Sequence, residues 1–130
     1  ETTFNILDRA NATTIAHAAA CGMGVLAKRP LANAIPGRSE RPRSEYAAQY
    51  WPRWESFAMQ QPPEGLAWLE TSIRFAAHTE GITSALVGSS HAAHVLDIAR
   101  AAAEGPLPSP VLEGLNRAYD RVGGDWTALG

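Results

Sequence analysis

The most informative stretch of this 130-residue sequence reads Ala85-Leu86-Val87-Gly88-Ser89-Ser90. Leu86 and Val87 form a short apolar run that is typical of a buried strand, and Gly88 allows the backbone to turn. Ser90 is predicted to cap a helix that begins at the next residue. Backbone N–H groups at such a junction can bind a phosphate. Since every α/β protein caps its helices, these six residues alone predict a strand followed by a helix.

Outward from this stretch, strand and helix patterns alternate along the chain. Strands are expected near residues 4–7, 25–27 and 85–87, and helices near residues 12–21, 65–78, 91–104 and from residue 109 onward. Alternation of this kind predicts a parallel sheet with right-handed crossovers. Asp8 and Asn11 are expected to cap the first helix. Each later helix is expected to turn one apolar face toward the core. The predicted faces are Leu66, Leu69, Ile73 and Ala77 in the first, Val95, Ile98, Ala99 and Ala102 in the second, and Val111, Leu115, Ala118 and Val122 in the last.

Residues 34–64 interrupt this alternation. The segment is rich in proline and charge, and it carries five aromatic residues at near-helical spacing: Tyr46, Tyr50, Trp51, Trp54 and Phe57. The pattern predicts a long loop with two short helices, the second starting at Pro52, that covers the outside of the sheet. A substrate lid is the alternative, because long loops in compact domains are often functional.

Composition excludes several classes of protein. Hydrophobic residues make up 45% of the chain and charged residues 18%, which indicates a globular protein rather than a disordered one. A formal net charge of −2 provides no basic surface for nucleic acid or an anionic membrane, and no apolar run approaches the roughly 20 residues of a membrane span. Cys21 is the single cysteine, which excludes an internal disulfide and favours a cytoplasmic location.

Three segments resemble the aldo/keto reductase family. Residues 3–9 (Thr-Phe-Asn-Ile-Leu-Asp-Arg) are similar to the sixth strand of that family, and residues 22–33 to its seventh strand and cofactor loop. Residues 73–90 are similar to the approach to the eighth strand and to its end. The resemblance implies that residues 1–130 are a single partial domain. This domain would be the C-terminal portion of a (β/α)8 TIM barrel, with about three βα units and a C-terminal helix. In such a barrel the three strands lie side by side in sequence order and are buried on both faces.

The same resemblance implies an NADP(H)-dependent oxidoreductase that acts on aldehydes or ketones. The family's catalytic Asp, Tyr, Lys and His lie on earlier strands, so no catalytic residue is assigned here and the chain alone is expected to be inactive. The implied cofactor-binding residues are Lys28, Arg29, Pro30, Leu31, Ala32, Asn33, Gly88, Ser89, Ser90, His94 and Asp97. In this alignment the loop after Lys28 holds the pyrophosphate, Gly88 to Ser90 hold the 2′-phosphate, and His94 and Asp97 lie at the adenine end.

Three positions depart from the family pattern. Glu1 stands where many members have a glutamine that holds the nicotinamide amide, and Lys28 stands where others have a tyrosine stacked on the nicotinamide. Ile98 replaces an asparagine that usually contacts adenine. These departures weaken the inference at the nicotinamide and adenine ends of the site more than at the phosphates.

Two other functions remain open. One is a barrel that binds a nicotinamide cofactor without turnover, as a sensor or accessory subunit. The other is a different TIM-barrel enzyme, such as a lyase that uses Lys28 to form a Schiff base. His91 and His94 lack a third ligand, so no metal is expected. The expected partners are a small carbonyl substrate and, at the open strand edges, the missing N-terminal part of the barrel or a second copy.

Overall fold

A computed structural model of the chain describes residues 1–57 and 59–129. Three short strands are separated by helices, as in a βα repeat. In chain order the elements are β1 Thr2–Thr3, α1 Ala12–Ala20, β2 Leu26–Lys28, a single 3-10 turn Ala32–Ala34, α2 Glu45–Ala48, α3 Trp51–Ser56, α4 Trp68–Ala77, β3 Ser84–Leu86, α5 Ala92–Ala103 and α6 Ser109–Asp120.

The three strands form one parallel sheet in the order β1-β2-β3, as the sequence predicts. Thr3 pairs with Lys28, and Lys28 pairs with Leu86, so the carboxyl ends of the strands lie along one edge of the sheet. β2 begins one residue later than expected and β3 one residue earlier.

The expected strand at residues 4–7 is wrong, because β1 ends at Thr3. Asn5 and Asp8 exchange backbone hydrogen bonds of 3.0 and 3.1 Å across a tight turn. The side-chain Oδ1 of Asn5 also accepts a 2.9 Å hydrogen bond from the backbone N–H of Leu7. Asparagine stabilises turns by bonding to the backbone two residues ahead, and here this preference overrides the apolar run Ile6-Leu7.

The sheet is covered on one face only, contrary to the expectation of burial on both. Ala27 is fully buried in the main core together with Ile15 of α1. Leu26 and Leu86 point to the other face and remain 38% and 42% exposed. Because side chains alternate along a strand, the helices bury every second residue, and within the described residues no layer covers the others.

The aromatic residues of segment 34–64 build the core, as the first of the two interpretations predicts. Tyr50, Trp54 and Phe57 are each at most 1% exposed. The Trp54 ring packs edge-on against Trp68 of α4 with centroids 5.2 Å apart, and its indole N–H donates to the carbonyl of Arg38. α2 and α3 therefore hold the long segment against the sheet and fix the loop that follows β2.

The predicted core faces of α4 and α5 are confirmed at Ile73 and Ile98, which form a small second core with Ala101. The prediction is wrong for Leu69 and Val95, which are 39% and 47% exposed. α6 agrees with its predicted core face, since Leu115 is fully buried. Within the residues described, no helix is long and apolar enough to cross a membrane.

Candidate functional site

A cavity of about 460 Å³ lies at the carboxyl ends of β2 and β3. The loop after β2 forms one wall, the end of β3 forms another, and α2 closes the third side. The lining residues are Arg29, Pro30, Leu31, Asn33, Ala34, Tyr46, Ala47, Leu86, Val87 and Gly88. This cavity brings together two segments that the sequence analysis named separately, residues 29–33 and 88–90. Gly88 is the residue of the second segment that lines it.

The loop after β2 has an unusual backbone. Arg29, Ala32, Asn33 and Ala34 all have positive φ, between +46° and +56°. Left-handed backbone costs roughly 1–2 kcal/mol at each non-glycine residue, so the surrounding structure must hold this loop in place. Part of that support is a 2.8 Å hydrogen bond from the side-chain amide of Asn33 to the carbonyl of Tyr46. Strained backbone of this kind concentrates at functional sites.

Arg29 provides a positive charge at the cavity wall. Its Nη1 donates to Gln49 Oε1 at 3.0 Å and to the carbonyl of Leu129 at 3.4 Å, and its guanidinium lies 5.1 Å from the Tyr46 ring centroid. Both hydrogen-bond acceptors are neutral. No carboxylate of the described residues lies within 4.0 Å of the guanidinium, so its charge is available to an anionic ligand.

Behind Arg29, the buried Asn5 side chain connects three parts of the site. Its Nδ2 donates to the backbone carbonyl of Arg29 at 3.0 Å and to the hydroxyl of Tyr50 at 3.2 Å. Burial raises the pKa of the Tyr50 hydroxyl above its usual value. Asn5 therefore ties the strained start of the loop to the turn after β1 and to the aromatic core. The sequence analysis gave Asn5 no role.

Asp8 and Arg53 form a buried ion pair beside this network, with Asp8 Oδ2 3.5 Å from Arg53 Nη1. Asp8 also accepts a 2.8 Å hydrogen bond from the backbone N–H of Leu129, and Arg53 donates to the carbonyls of Leu7 and Thr127. Burial raises the pKa of the Asp8 carboxyl even though Arg53 acts in the opposite direction. The pair anchors the C-terminal segment across the strand ends.

Two predicted helix caps are therefore wrong. Asp8 is fully buried and binds Leu129 and Arg53 rather than the start of α1. Asn11 occupies the N-cap position, but its side chain makes no capping hydrogen bond and donates instead to the carbonyl of Thr3 at 3.4 Å.

The start of α5 also differs from the prediction that Ser90 caps it. His91 is the N-cap residue, and its backbone N–H donates to Ser89 Oγ at 3.1 Å. The Ser90 hydroxyl lies 3.1 Å from His91 Nδ1. Gly88 borders the cavity, and a Cβ placed there would meet no atom within 4 Å, which leaves room for a ligand against the backbone.

The remaining predicted residues lie near the cavity or along α5 without lining it. Lys28 is the last residue of β2 and is partly exposed, whereas Ala32 is fully buried. His94 is exposed with its ring 5.0 Å from that of His91, and the exposed Asp97 carboxylate lies 3.4 Å from Arg100. Their assignment to a cofactor stays a prediction.

Across residues 1–57 and 59–129, no three His, Cys, Asp or Glu side chains come close enough to hold a metal ion. The groups that the cavity offers to a ligand are a guanidinium, an aromatic face and backbone, together with the nearby serine hydroxyls. Such groups suit an organic anion.

Neither a protein-family model nor a curated protein sequence matches this chain. Eight solved chains are similar to this chain in structure. An aldo-keto reductase from Bacillus halodurans in its holo form has a TM-score of 0.68 and 19% sequence identity over 89% of this chain. The apo form of that protein has a TM-score of 0.70 and 16% identity over the same share.

The chain spans about 40% of the length of these solved structures. The matched region is their C-terminal part, which agrees with the position that the sequence resemblance implies. At 19% identity or less, a likeness of this kind establishes the fold. The three parallel strands and the surrounding helices thus have the fold of the C-terminal part of an aldo-keto reductase.

Proposed function

We propose that this chain is the C-terminal portion of a (β/α)8 barrel that acts as an NADP(H)-dependent carbonyl oxidoreductase. In this proposal the chain supplies the phosphate-binding side of the cofactor site, and the catalytic Asp, Tyr, Lys and His belong to the preceding part of the barrel. The observation that carries the proposal is the cavity between Arg29 and Gly88 at the carboxyl ends of parallel strands. Active sites of TIM barrels are built from the loops at this end.

The residues at the cavity fit a dinucleotide phosphate. Arg29 has no carboxylate partner among the described residues, and Gly88 allows close approach to the backbone. The 12-residue helix α5 begins at Ala92, four residues after Gly88, and the N-terminal end of a helix dipole favours an anion. A volume of about 460 Å³ falls within the range of small-molecule sites, roughly 300–1,000 Å³.

A bound nicotinamide cofactor would supply a hydride to the carbonyl carbon of the substrate. Arg29 and the backbone of residues 30–33 would bind its pyrophosphate. Ser89, Ser90 and protonated His94 would bind the 2′-phosphate, with Asp97 toward the adenine and Lys28 toward the nicotinamide. The buried Tyr50 hydroxyl accepts from Asn5, and burial raises its pKa. This supports a proton donor located elsewhere in the barrel.

The uncovered face of the sheet supports the proposal that the rest of the barrel, or a second copy, packs against this chain. Leu26 and Leu86 lie on the face that would point into a barrel interior, and both are more than one-third exposed. The rest of the barrel, or a second copy, would bury them and pair the open strand edges. We propose a small carbonyl compound as the substrate and the cytoplasm as the location.

Titration of NADPH into the complete protein tests the assignment of Arg29. Arg29→Met keeps the length of the side chain and removes its charge, and charge-assisted hydrogen bonds are worth about 1.5–3 kcal/mol. We therefore expect the Kd for NADPH to rise by roughly 10- to 150-fold. Arg43→Met is the matched control, because Arg43 is exposed and does not line the cavity.

Equal Kd values for the wild type and both variants would contradict the proposed cofactor site. Thermal melting of each variant, followed by circular dichroism, excludes unfolding as the cause of a weaker Kd. Aldehyde-dependent oxidation of NADPH then separates the reductase from a barrel that binds the cofactor without turnover.

A further inference from the structure

We propose that a second cavity, next to Arg9, binds a small carboxylate with an apolar body. This cavity has a volume of about 440 Å³ and lies among the turn after β1, the C-terminal half of α4 and the first two turns of α6. It shares no lining residue with the cavity at Arg29. The proposal does not depend on the proposed function.

Arg9 is a partly buried cation without an ion-pair partner within 4.0 Å among the described residues, although the negative charge of Asp120 partly offsets the effect of burial on the pKa of its guanidinium. Its guanidinium lies 4.5 Å from the ring centroids of both Phe75 and Tyr119. Nη1 donates to Asn116 Oδ1 at 2.7 Å and Nη2 donates to the carbonyl of Leu115 at 3.1 Å, while the buried Nε has no partner. Both acceptors are neutral, and burial lowers the pKa of the guanidinium to about 10.

A bound carboxylate would supply the direct ion-pair partner that Arg9 lacks. No Asp or Glu of the described residues lies within 4.0 Å of Arg9. A guanidinium has five N–H groups in a planar fork that matches a carboxylate, and neighbouring residues of the chain use only two of them. An anion at this position would therefore gain hydrogen bonds without displacing an existing ion pair.

The other charged groups at the cavity place the carboxylate at the Arg9 end. Arg74 is already paired with Glu70 at 2.7 Å and donates to the carbonyls of Gly105 and Pro106. Glu80 is exposed and also borders the cavity, where it would repel an anion. The electrostatic preference for an anion is thus confined to the region of Arg9.

The walls of the cavity determine the class of ligand. Phe4 and Phe75 stack with centroids 5.6 Å apart on one side, and Leu107 and Leu112 lie on the other. These side chains would bury an aromatic or aliphatic body, which a free inorganic anion does not have. Benzoate combines a single carboxylate with a flat apolar ring and is the probe that we choose.

Calorimetric titration of benzoate into the complete, cofactor-free protein tests the site. We expect saturable binding with a Kd near 1 mM, and binding of the neutral analogue benzyl alcohol that is at least tenfold weaker. Asn116→Asp puts a carboxylate where Oδ1 already accepts from Arg9, so it should weaken benzoate binding at least tenfold without changing shape. Gln61→Glu adds the same charge at an exposed position away from the cavity and should leave the Kd unchanged.

Leu112→Trp gives an independent measurement, because Leu112 is 39% exposed and a larger side chain there fills the cavity without disturbing the core. Loss of benzoate binding in this variant, with an unchanged melting temperature, supports the proposal. No saturable binding of benzoate, equal binding of benzyl alcohol, or an unchanged Kd in both Asn116→Asp and Leu112→Trp would overturn it.

Discussion

Replacing Asn5 by alanine should destabilise the fold and weaken the candidate site together. The Asn5 side chain makes three hydrogen bonds in a buried position, to the carbonyl of Arg29, the hydroxyl of Tyr50 and the N–H of Leu7. Each is worth about 1 kcal/mol, and the partners left in the core would lack a replacement. We expect Asn5→Ala to lower the free energy of unfolding by about 3 kcal/mol.

Urea unfolding of the complete protein, followed by tryptophan fluorescence, measures this change, because Trp54 and Trp68 lie in the core that Asn5 joins. Asn11→Ala is the matched control, since the Asn11 amide makes a single 3.4 Å hydrogen bond and should cost less than about 1 kcal/mol. The carbonyl of Arg29 also loses its anchor, so the affinity for NADPH should fall in Asn5→Ala and not in the control. A loss of stability no larger than that of the control would refute this reasoning.

Three further predictions follow from individual residues. Burial raises the pKa of Asp8 above 3.8, so the contribution of its protonation to stability is complete below about pH 3.8 and is lost as the pH rises through the raised pKa. The free energy of unfolding should therefore fall with pH in this range, and Asp8→Asn should remove that slope. An unchanged slope in the variant would exclude this role for Asp8. Ser90→Arg should increase the preference for NADP over NAD at least about tenfold in cofactor titrations, and an unchanged ratio would place the 2′-phosphate elsewhere. Gly37→Ala should lower the free energy of unfolding by about 2 kcal/mol in thermal melts, since a Cβ there would lie 2.9 Å from Trp68. Gly65→Ala is the control and should lower it less, because φ is also positive at Gly65 but the space around it is open.

The features that the sequence predicted correctly depend on local signals. Short apolar runs separated by helical patterns predict a parallel sheet, and the resemblance to a barrel adds the sequence order of its strands. α1 ends before Gly22, which has a φ of +74°, because glycine adopts this backbone readily. Tyr50, Trp54 and Phe57 are large and mostly apolar, so their burial was also predictable, whereas Tyr46 of the same segment is 58% exposed.

Features that depend on distant partners were not predictable in this way. Leu69 and Val95 belong to regular apolar patterns, yet they are 39% and 47% exposed, whereas Ile73 and Ile98 of the same patterns are buried. The helical period indicates which residues share a face, but the neighbouring element determines whether that face is buried. The support of the loop after β2 has the same origin, since the bonds from Asn5 to Arg29 and Tyr50 connect residues that are far apart in the chain.

The approach of the two loop segments at the candidate site was easier to predict than the buried polar contacts that hold them in place. Residues 29–33 and 88–90 follow strands, and parallel strands bring their carboxyl ends to one edge, so a topology argument predicts that the two segments approach each other. Asp8 just before a helix is typical of a cap, and no local pattern distinguishes a capping aspartate from one that binds Arg53 and Leu129. Burial of such a carboxylate is costly unless a cation and a backbone donor meet it. The position of Asp8 therefore depends on Arg53 and on the C-terminal segment being in place. The position of the Arg29 side chain depends on the same segment, because Arg29 donates to the carbonyl of Leu129.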